Sequence, residues 1–106
     1  MTFDSYRAFY AYYLTQHADP VCRTLHFIGS SLVLVTLATA IAGGNPWLLP
    51  LLPMIGYGFA WVGHFVFEKN RPASFGHPFY SLASDWGMWW EMLTGKVPFT
   101  GRLVAA

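Results

Sequence analysis

Residues 24–67 read TLHFIGSSLVLVTLATAIAGGNPWLLPLLPMIGYGFAWVGHFVF and contain no Asp, Glu, Lys or Arg. These 44 residues are about twice the roughly 20 that one helix needs to cross the hydrocarbon core of a bilayer. Helix-terminating residues interrupt the stretch at Gly43-Gly44-Asn45-Pro46. The sequence therefore predicts an all-α membrane protein built on a helical hairpin. Its two spans cover about residues 20–42 and 47–67, and the turn covers residues 43–46.

The composition of the whole chain supports a membrane protein. Of 106 residues, 55% are hydrophobic and 10% are charged, against roughly 45–50% and about 25% in an average soluble domain. The length allows one domain. Six Lys and Arg, none adjacent in the chain, and a net charge of +1 give no basic patch, so we expect no nucleic-acid partner. A single cysteine, Cys22, permits no internal disulfide and no cysteine-based zinc site.

The positions of the basic residues predict the orientation of the hairpin. All of them lie outside the charge-free stretch: Arg7, Arg23, Lys69, Arg71, Lys96 and Arg102. By the positive-inside rule, both termini should be cytoplasmic. No apolar run followed by a small-residue cleavage site is found near the N-terminus, so we expect no cleaved signal peptide. The predicted location is a bacterial inner membrane or, in a eukaryote, the endoplasmic reticulum, with the chain as a multi-pass protein.

Two aromatic amphipathic helices are predicted on the flanks of the hairpin. The helical spacing of the first, over about residues 3–17, is carried by Phe3, Tyr6, Tyr10, Tyr13 and His17. The second, over about residues 79–94, is carried by Phe79, Leu82, Trp86, Trp89 and Leu93. Its other faces hold Ser81, Ser84, Asp85 and Glu91, and we expect Asp85 on a solvated face. Residues 68–78 form a loop and residues 95–106 a tail. Because Tyr and Trp favour the membrane–water interface, both helices are expected at the cytoplasmic surface.

Four histidines are predicted to meet in one layer at that surface. His26 lies near the start of the first span and His64 near the end of the second, each about 3–6 Å inside the charged boundary. His17 and His77 belong to the flanks that return to this boundary. Imidazole ligands suit Zn, Cu, Fe and Ni, so the pattern favours a metal site. The alternative is that the histidines hydrogen-bond backbone carbonyls or lipid headgroups.

Other polar residues are predicted near the same layer as candidate contacts to the metal ligands or to a substrate carboxylate. Glu68 follows His64 by four residues and is either a ligand, an orienting acceptor or a helix-end charge paired with a nearby cation. Arg23 precedes His26 by three residues and could neutralise a carboxylate or a headgroup, or serve as a membrane anchor. The remaining candidates are Asn70, Arg71 and Asp85.

Three motifs in this order resemble a known family. They are Tyr13-x3-His17-x2-Pro20-x2-Arg23-x2-His26-x2-Gly29, then Gly56-Tyr57-Gly58-x2-Trp61-x-Gly63-His64-x3-Glu68-x-Asn70-Arg71-Pro72-Ala73, then His77-Pro78-x2-Ser81-Leu82-x2-Asp85. The set resembles the membrane family of iron-dependent 2-hydroxy fatty acid dioxygenases, over about residues 10–95. Ser74 stands where the family has Thr, and the eukaryotic relatives are longer, with additional membrane segments.

The resemblance implies an Fe(II)-dependent alpha-oxidation. In this reaction a 2-hydroxy fatty acid and dioxygen give a fatty acid one carbon shorter. The family's histidines correspond to His17, His26, His64 and His77, which are then the catalytic, metal-binding residues, with Fe(2+) as the cofactor. The lipid bilayer would deliver the substrate, and Arg23 or Arg71 would offset its carboxylate charge.

Two other functions remain open from the sequence. Paired histidines at equal depth on facing helices could bind a haem axially in an electron-transfer protein. Alternatively, the aromatic flanks could serve a non-enzymatic lipid-binding protein in which the histidines only satisfy backbone groups. A homo-oligomer is compatible with either function.

Overall fold

The computed structural model describes residues 3–72 and 75–101. In this part of the chain there are four α-helices and no strand: α1 (Tyr6–Thr15), α2 (Pro20–Gly43), α3 (Leu51–Val62) and α4 (Pro78–Leu93). A short 3-10 turn, Pro46–Leu48, precedes α3, and a π-helical segment, Gly63–Glu68, extends it. The all-helical prediction is confirmed. Ser74, Arg102 and the end of the tail lie outside the described residues.

The ends of the long helix α2 follow local sequence rules. The carboxylate of Asp19 accepts hydrogen bonds from the backbone N–H groups of Val21 and Cys22, and Pro20 occupies the first helical position. At the other end Gly44 adopts a left-handed conformation, with φ of 61°, which stops the helix at low conformational cost. The sequence around the turn therefore defines the hairpin directly.

Helices α2 and α3 pack antiparallel. Gly63 approaches Cys22, Phe59 approaches Gly29, and Gly56 approaches Val33, so positions that advance along one helix retreat along the other. The crossing at Gly29 is the tightest, since a Cβ built there would lie 2.7 Å from the Cβ of Phe59. The outer ends of the two helices are thereby brought together, and both histidines of the hairpin lie at those ends.

Two helical stretches, Pro20–Gly43 and Pro46–Glu68, are long and apolar enough to span a membrane. Most of their surface is exposed, including Val35, Met54 and Ile41, of which Ile41 is 73% exposed. The core helix of a soluble protein would instead be largely buried. The exposure of these apolar helices favours association with a membrane.

Helices α1 and α4 pack against each other beside the hairpin. Their buried cluster consists of Phe9, Tyr13, Met88, Met92 and Val97. Tyr10 donates a hydrogen bond to Glu91, Tyr13 donates one to Asp85, and Tyr6 donates one to the carbonyl of Ala83. The α1 tyrosines therefore face α4 with their hydroxyl groups.

The serines of α4, which the sequence places on faces other than the aromatic stripe, lie on its inner face. Ser81 and Ser84 are buried, whereas Phe79 is 85% exposed and Leu82 is also exposed. Phe79 and Leu82 lie on the exposed side, whereas Met88 and Met92 are buried together with the serines, and the indole N–H of Trp89 donates to Ser31. This arrangement suits apolar surroundings, because the outward side chains need no contact with water.

Candidate metal centre

Three histidines from three segments converge in the buried interior. His17 lies in the link between α1 and α2, His26 in the second turn of α2, and His64 in the π-helical segment. Their ring centroids are 4.4, 4.5 and 5.0 Å apart, and Nε2 of His17 lies 3.1 Å from Nε2 of His26. All three side chains are buried.

Each of these rings is oriented by an oxygen acceptor at Nδ1. The acceptors are the carbonyl oxygen of Tyr13 at 2.8 Å for His17, the carbonyl oxygen of Cys22 at 2.9 Å for His26, and Oδ1 of Asn70 at 2.7 Å for His64. The amide nitrogen of Asn70 donates to both oxygens of Gln16, which leaves its Oδ1 for His64. An acceptor at Nδ1 requires the proton there. Each Nε2 therefore carries a bare lone pair.

Lone pairs that converge in this way are stabilised by a cation between them. Two unprotonated nitrogens 3.1 Å apart repel each other unless a proton or a metal ion lies between them. Burial, together with the neighbouring His26 and His64, lowers the pKa of His17 well below its ordinary value, which disfavours the proton. Neutral imidazoles whose other nitrogen is bonded to an oxygen acceptor are the usual ligands of protein-bound transition metals. The arrangement fits a metal ion.

Cys22 joins the histidines, although the sequence analysis had set it aside. The ligand atoms of His17, Cys22, His26 and His64 all lie within 4.8 Å of one another. The Cys22 Sγ lies 3.8 Å from Nδ1 of His26, and its side chain is fully buried. The spacing Cys22-x3-His26 could have indicated this, since residues four apart share a helix face.

The π-helical segment holds His64 close to α2. A Cβ at Gly63 would lie 3.0 Å from the Sγ and 3.2 Å from the Cα of Cys22, so a side chain at this position would crowd Cys22 and push the two backbones apart. Lys69 then adopts a left-handed conformation, with φ of 59°, and the N–H of Asn70 donates to the carbonyl oxygen of His64. The chain thereby folds back and places the Asn70 amide against the His64 ring.

His77 lies outside this cluster, whereas the sequence predicts a layer of four histidines. It is not among the described residues whose ligand atoms lie within 4.8 Å of one another. Its ring packs against Phe3 and Phe9, with centroid distances of 5.1 and 5.2 Å, directly before the start of α4. The loop after the hairpin carries His77 to aromatic rings at the N-terminal end of the chain rather than to His17.

The Arg23 side chain donates hydrogen bonds to backbone carbonyl oxygens. Its side chain is fully buried. The guanidinium has five N–H groups, and five carbonyl oxygens accept from it: those of His17, Ala18, Pro98, Thr100 and Gly101. Arg23 therefore ties the segment that carries His17 to the chain after α4.

Glu68 contacts the start of α2, and Arg71 lies at the surface. Both carboxylate oxygens of Glu68 face the backbone N–H of Asp19, at 3.1 and 3.2 Å. A carboxylate is favourable there because the N-terminus of α2 carries partial positive charge. Arg71 is exposed. Within the described part of the chain, Asn70, and not Glu68, orients a histidine.

A cavity of about 280 Å³ opens beside the histidines. His17, His26 and His64 line it at one end, and Val33 and Leu52 line it farther along the hairpin. From His26 to Val33 the cavity follows α2 for roughly 10 Å at 1.5 Å per residue. A polar end at the histidines and an apolar remainder suit a ligand with a polar head and a hydrocarbon tail.

Asp85 lines the same cavity, which corrects its assignment to a solvated face. It is partly buried, and its Oδ1 accepts the hydrogen bond from Tyr13. Burial raises the pKa of the Asp85 carboxyl to about 6. The Tyr13 ring stacks on His17 at 4.0 Å between centroids, so Asp85 is connected to the histidine cluster through one tyrosine.

Asn70→Ala is expected to weaken metal affinity about 10- to 100-fold, the usual cost of losing the acceptor that orients a metal-binding histidine. Asn70→Asp keeps an acceptor for Nδ1 of His64 but loses the donor to Gln16, so it should recover part of this affinity. Titration of the purified, metal-stripped variants with Zn²⁺ would measure both affinities. Equal affinities in the alanine and aspartate variants would show that Asn70 does not orient His64.

Comparison with known proteins places the chain in a family. The family model described as 2-hydroxy-palmitic acid dioxygenase Mpo1-like matches residues 3–97. Neither a curated protein nor a solved structure was found to match. The matched region spans all four helices and includes the three clustered histidines and Cys22. The chain belongs to the 2-hydroxy-palmitic acid dioxygenase Mpo1-like family.

Proposed function

We propose that this protein is a membrane-embedded, Fe(II)-dependent dioxygenase that shortens 2-hydroxy fatty acids by one carbon. The observation that carries the proposal is the set of three Nδ1-anchored histidines at the polar end of an otherwise apolar cavity. The name of the family supplies the substrate class and the reaction type. The cavity supports the substrate class independently, because its polar and apolar ends match a fatty acid.

The residues present fit an iron ion. His17, His26 and His64 would hold it through Nε2, and Cys22 lies within reach as a further ligand. Imidazole ligands suit iron as well as zinc, so the choice of iron rests on the family. When bound, a ferrous ion supplies electrons for the activation of dioxygen and positive charge that attracts the substrate carboxylate.

The proposed reaction balances with dioxygen as its sole oxidant. A 2-hydroxy acid and one O₂ give the acid that is one carbon shorter, one CO₂ and one water. The bond between C1 and C2 breaks, and C2 becomes the carboxyl carbon of the product. The substrate loses four electrons to dioxygen, so no further reductant is required.

The cavity suggests how the substrate is placed. Its carboxyl end would lie at the histidines, and its tail would follow α2 and α3 past Val33 and Leu52. The burial of His17 and His64 keeps bulk water from the reacting end. A fatty acid in a bilayer already has its carboxylate near the headgroups, so the lipid phase itself could supply the substrate.

We propose that α2 and α3 cross the membrane as a hairpin with both chain termini on the cytoplasmic side. The antiparallel packing places the outer ends of the two helices together, and the basic residues lie outside the apolar stretch. The aromatic helices α1 and α4 would then lie at the cytoplasmic interface, with exposed Phe79 and Leu82 in contact with lipid.

The haem alternative is disfavoured by the geometry of the cluster. The two histidines on the facing helices, His26 and His64, have ring centroids 5.0 Å apart, and the His17 ring lies 4.4 and 4.5 Å from them. With three rings this close together, no space is left between His26 and His64 for a haem macrocycle. The other alternative, a lipid-binding protein without catalytic activity, is tested by the experiment described next.

The decisive experiment combines metal analysis with gas measurements on detergent-purified protein. After anaerobic loading with Fe(II), we expect about one iron per chain and oxygen uptake with 2-hydroxypalmitate. Equal amounts of CO₂ and pentadecanoate should form, and palmitate should give no uptake. Iron binding without oxygen uptake on any 2-hydroxy acid would overturn the dioxygenase and leave a metal-containing lipid-binding protein.

A further inference from the structure

The hydroxyl of Ser81 has no hydrogen-bond partner in the described part of the chain, although its residue is only 2% exposed. A serine within a helix usually bonds a carbonyl oxygen one turn earlier or points to water, and Ser81 does neither. Its side chain lines the cavity beside the three histidines. A buried hydroxyl without a partner is costly, so a ligand in the cavity is the natural partner.

Asp85 lies one helical turn after Ser81 and lines the same cavity. Its Oδ1 accepts the hydroxyl of Tyr13, and Oδ2 has no hydrogen bond within the described residues. Among the described residues that line the cavity there is no Lys or Arg. The α4 wall therefore offers the Ser81 hydroxyl, the Asp85 carboxylate and the indole of Trp86, but no positive charge.

The chemistry of this wall determines which polar group of a 2-hydroxy acid, the hydroxyl or the carboxylate, can face it. A substrate carboxylate would be repelled by Asp85 and unsupported by any cation on α4. A substrate hydroxyl can donate to the Asp85 carboxylate and accept from the Ser81 hydroxyl at the same time. The carboxylate is then left to the histidine end of the cavity, where a bound metal would carry the positive charge.

We propose that Ser81 and Asp85 form a recognition pair for the 2-hydroxyl group of the substrate and set the preference for 2-hydroxy acids over unsubstituted fatty acids. The inference rests on the proposed substrate class and assigns the specificity for the hydroxyl to α4. Sites that hydrogen-bond a substrate hydroxyl reject analogues that lack it, because their own polar groups are then left unpaired.

Ser84 provides a matched control on the same helix. It is also fully buried, and its hydroxyl also lacks a partner in the described part of the chain, but it is not among the residues that line the cavity. Ser81→Ala and Ser84→Ala each remove one unpaired buried hydroxyl, a change that should leave folding intact or slightly improve it. Their difference isolates the contact with the cavity.

The test compares the affinities of 2-hydroxypalmitate and palmitate without oxygen, by equilibrium dialysis of the Fe(II)-loaded protein. We expect Ser81→Ala to reduce the preference for the hydroxy acid about 10-fold, with palmitate affinity nearly unchanged, and Ser84→Ala to keep the original preference. Ser81→Thr retains a hydroxyl group and should keep most of the preference for the hydroxy acid. Asp85→Asn, which still accepts from Tyr13 but lacks the charge, is a second variant and should also reduce the preference.

A preference unchanged in Ser81→Ala and Asp85→Asn, or reduced equally in Ser84→Ala, would overturn the recognition pair. Oxygen uptake by the original protein is measured in parallel and tests the proposed function separately. If oxygen uptake occurs but the preference does not depend on Ser81 and Asp85, the proposed dioxygenase activity is supported and the recognition pair is contradicted. If the preference depends on Ser81 but no uptake occurs, the pair stands and the dioxygenase fails.

Discussion

His26→Ala is expected to abolish tight metal binding and, with it, oxygen uptake. The loss should exceed the roughly 10- to 100-fold effect of removing an orienting acceptor, because one of three convergent Nε2 ligands disappears. Thermal unfolding gives a readout that needs no activity. A ligand that binds the folded state stabilises it by about 2.7 kcal/mol at 100 times its dissociation constant. Zn²⁺ should therefore raise the unfolding temperature of the original protein and not that of His26→Ala.

His77→Ala is the informative contrast, because the sequence motif and the geometry disagree about this residue. Its ring lies against Phe3 and Phe9 and outside the cluster of His17, Cys22, His26 and His64. We expect the variant to bind one metal ion per chain with the original affinity. If His77→Ala loses the metal as completely as His26→Ala, the centre involves four histidines and the geometry described above is wrong.

The fold class follows from the sequence because the decisive signals are local. The absence of charges between residues 24 and 67, with the interruption at Gly43-Gly44-Asn45-Pro46, predicts two apolar helices without any knowledge of their neighbours. The described part of the chain is all-helical, with two stretches apolar enough to span a membrane. Length, hydropathy and turn residues were sufficient for this part.

The site is predictable only where it depends on the hairpin. His26 and His64 lie near the ends of the two apolar stretches, and antiparallel packing brings such ends together. The position of His77 depends on the path of the loop after residue 68, which no periodicity describes. Cys22 was set aside because a single cysteine suggested no metal site by itself, although it lies one turn before His26 on α2.

Which side of α4 is buried could not be predicted from the sequence. Serine and aspartate on an amphipathic helix ordinarily face water, so a solvated face is predicted for Asp85. In the structure Phe79 and Leu82 are exposed, whereas Ser81 is buried and lines the cavity together with Asp85. The pattern along the helix is the same in both cases, and only packing decides which side is buried.

Arg23→Met is expected to destabilise the fold strongly rather than to weaken substrate binding selectively. The guanidinium donates to five carbonyl oxygens, two before α2 and three after α4. Its removal leaves the buried carbonyl oxygens of His17 and Ala18 unpaired, at about 1–3 kcal/mol each. For a chain of this size, a loss of about 3 kcal/mol corresponds to a fall of roughly 10–20 °C in unfolding temperature.

Arg23→Lys should recover little of this stability, because one ammonium group has three donors and cannot reach acceptors on both segments. Arg7→Met removes an exposed cation and serves as the control, with an expected change within about 0.5 kcal/mol. Thermal unfolding in detergent, measured beside the Michaelis constant for 2-hydroxypalmitate, separates the two roles of Arg23. If Arg23 instead bound the substrate carboxylate, its replacement would raise the Michaelis constant and leave the unfolding temperature unchanged. That result would contradict the structural role, because the connection between the His17 segment and the chain after α4 would then contribute nothing to stability.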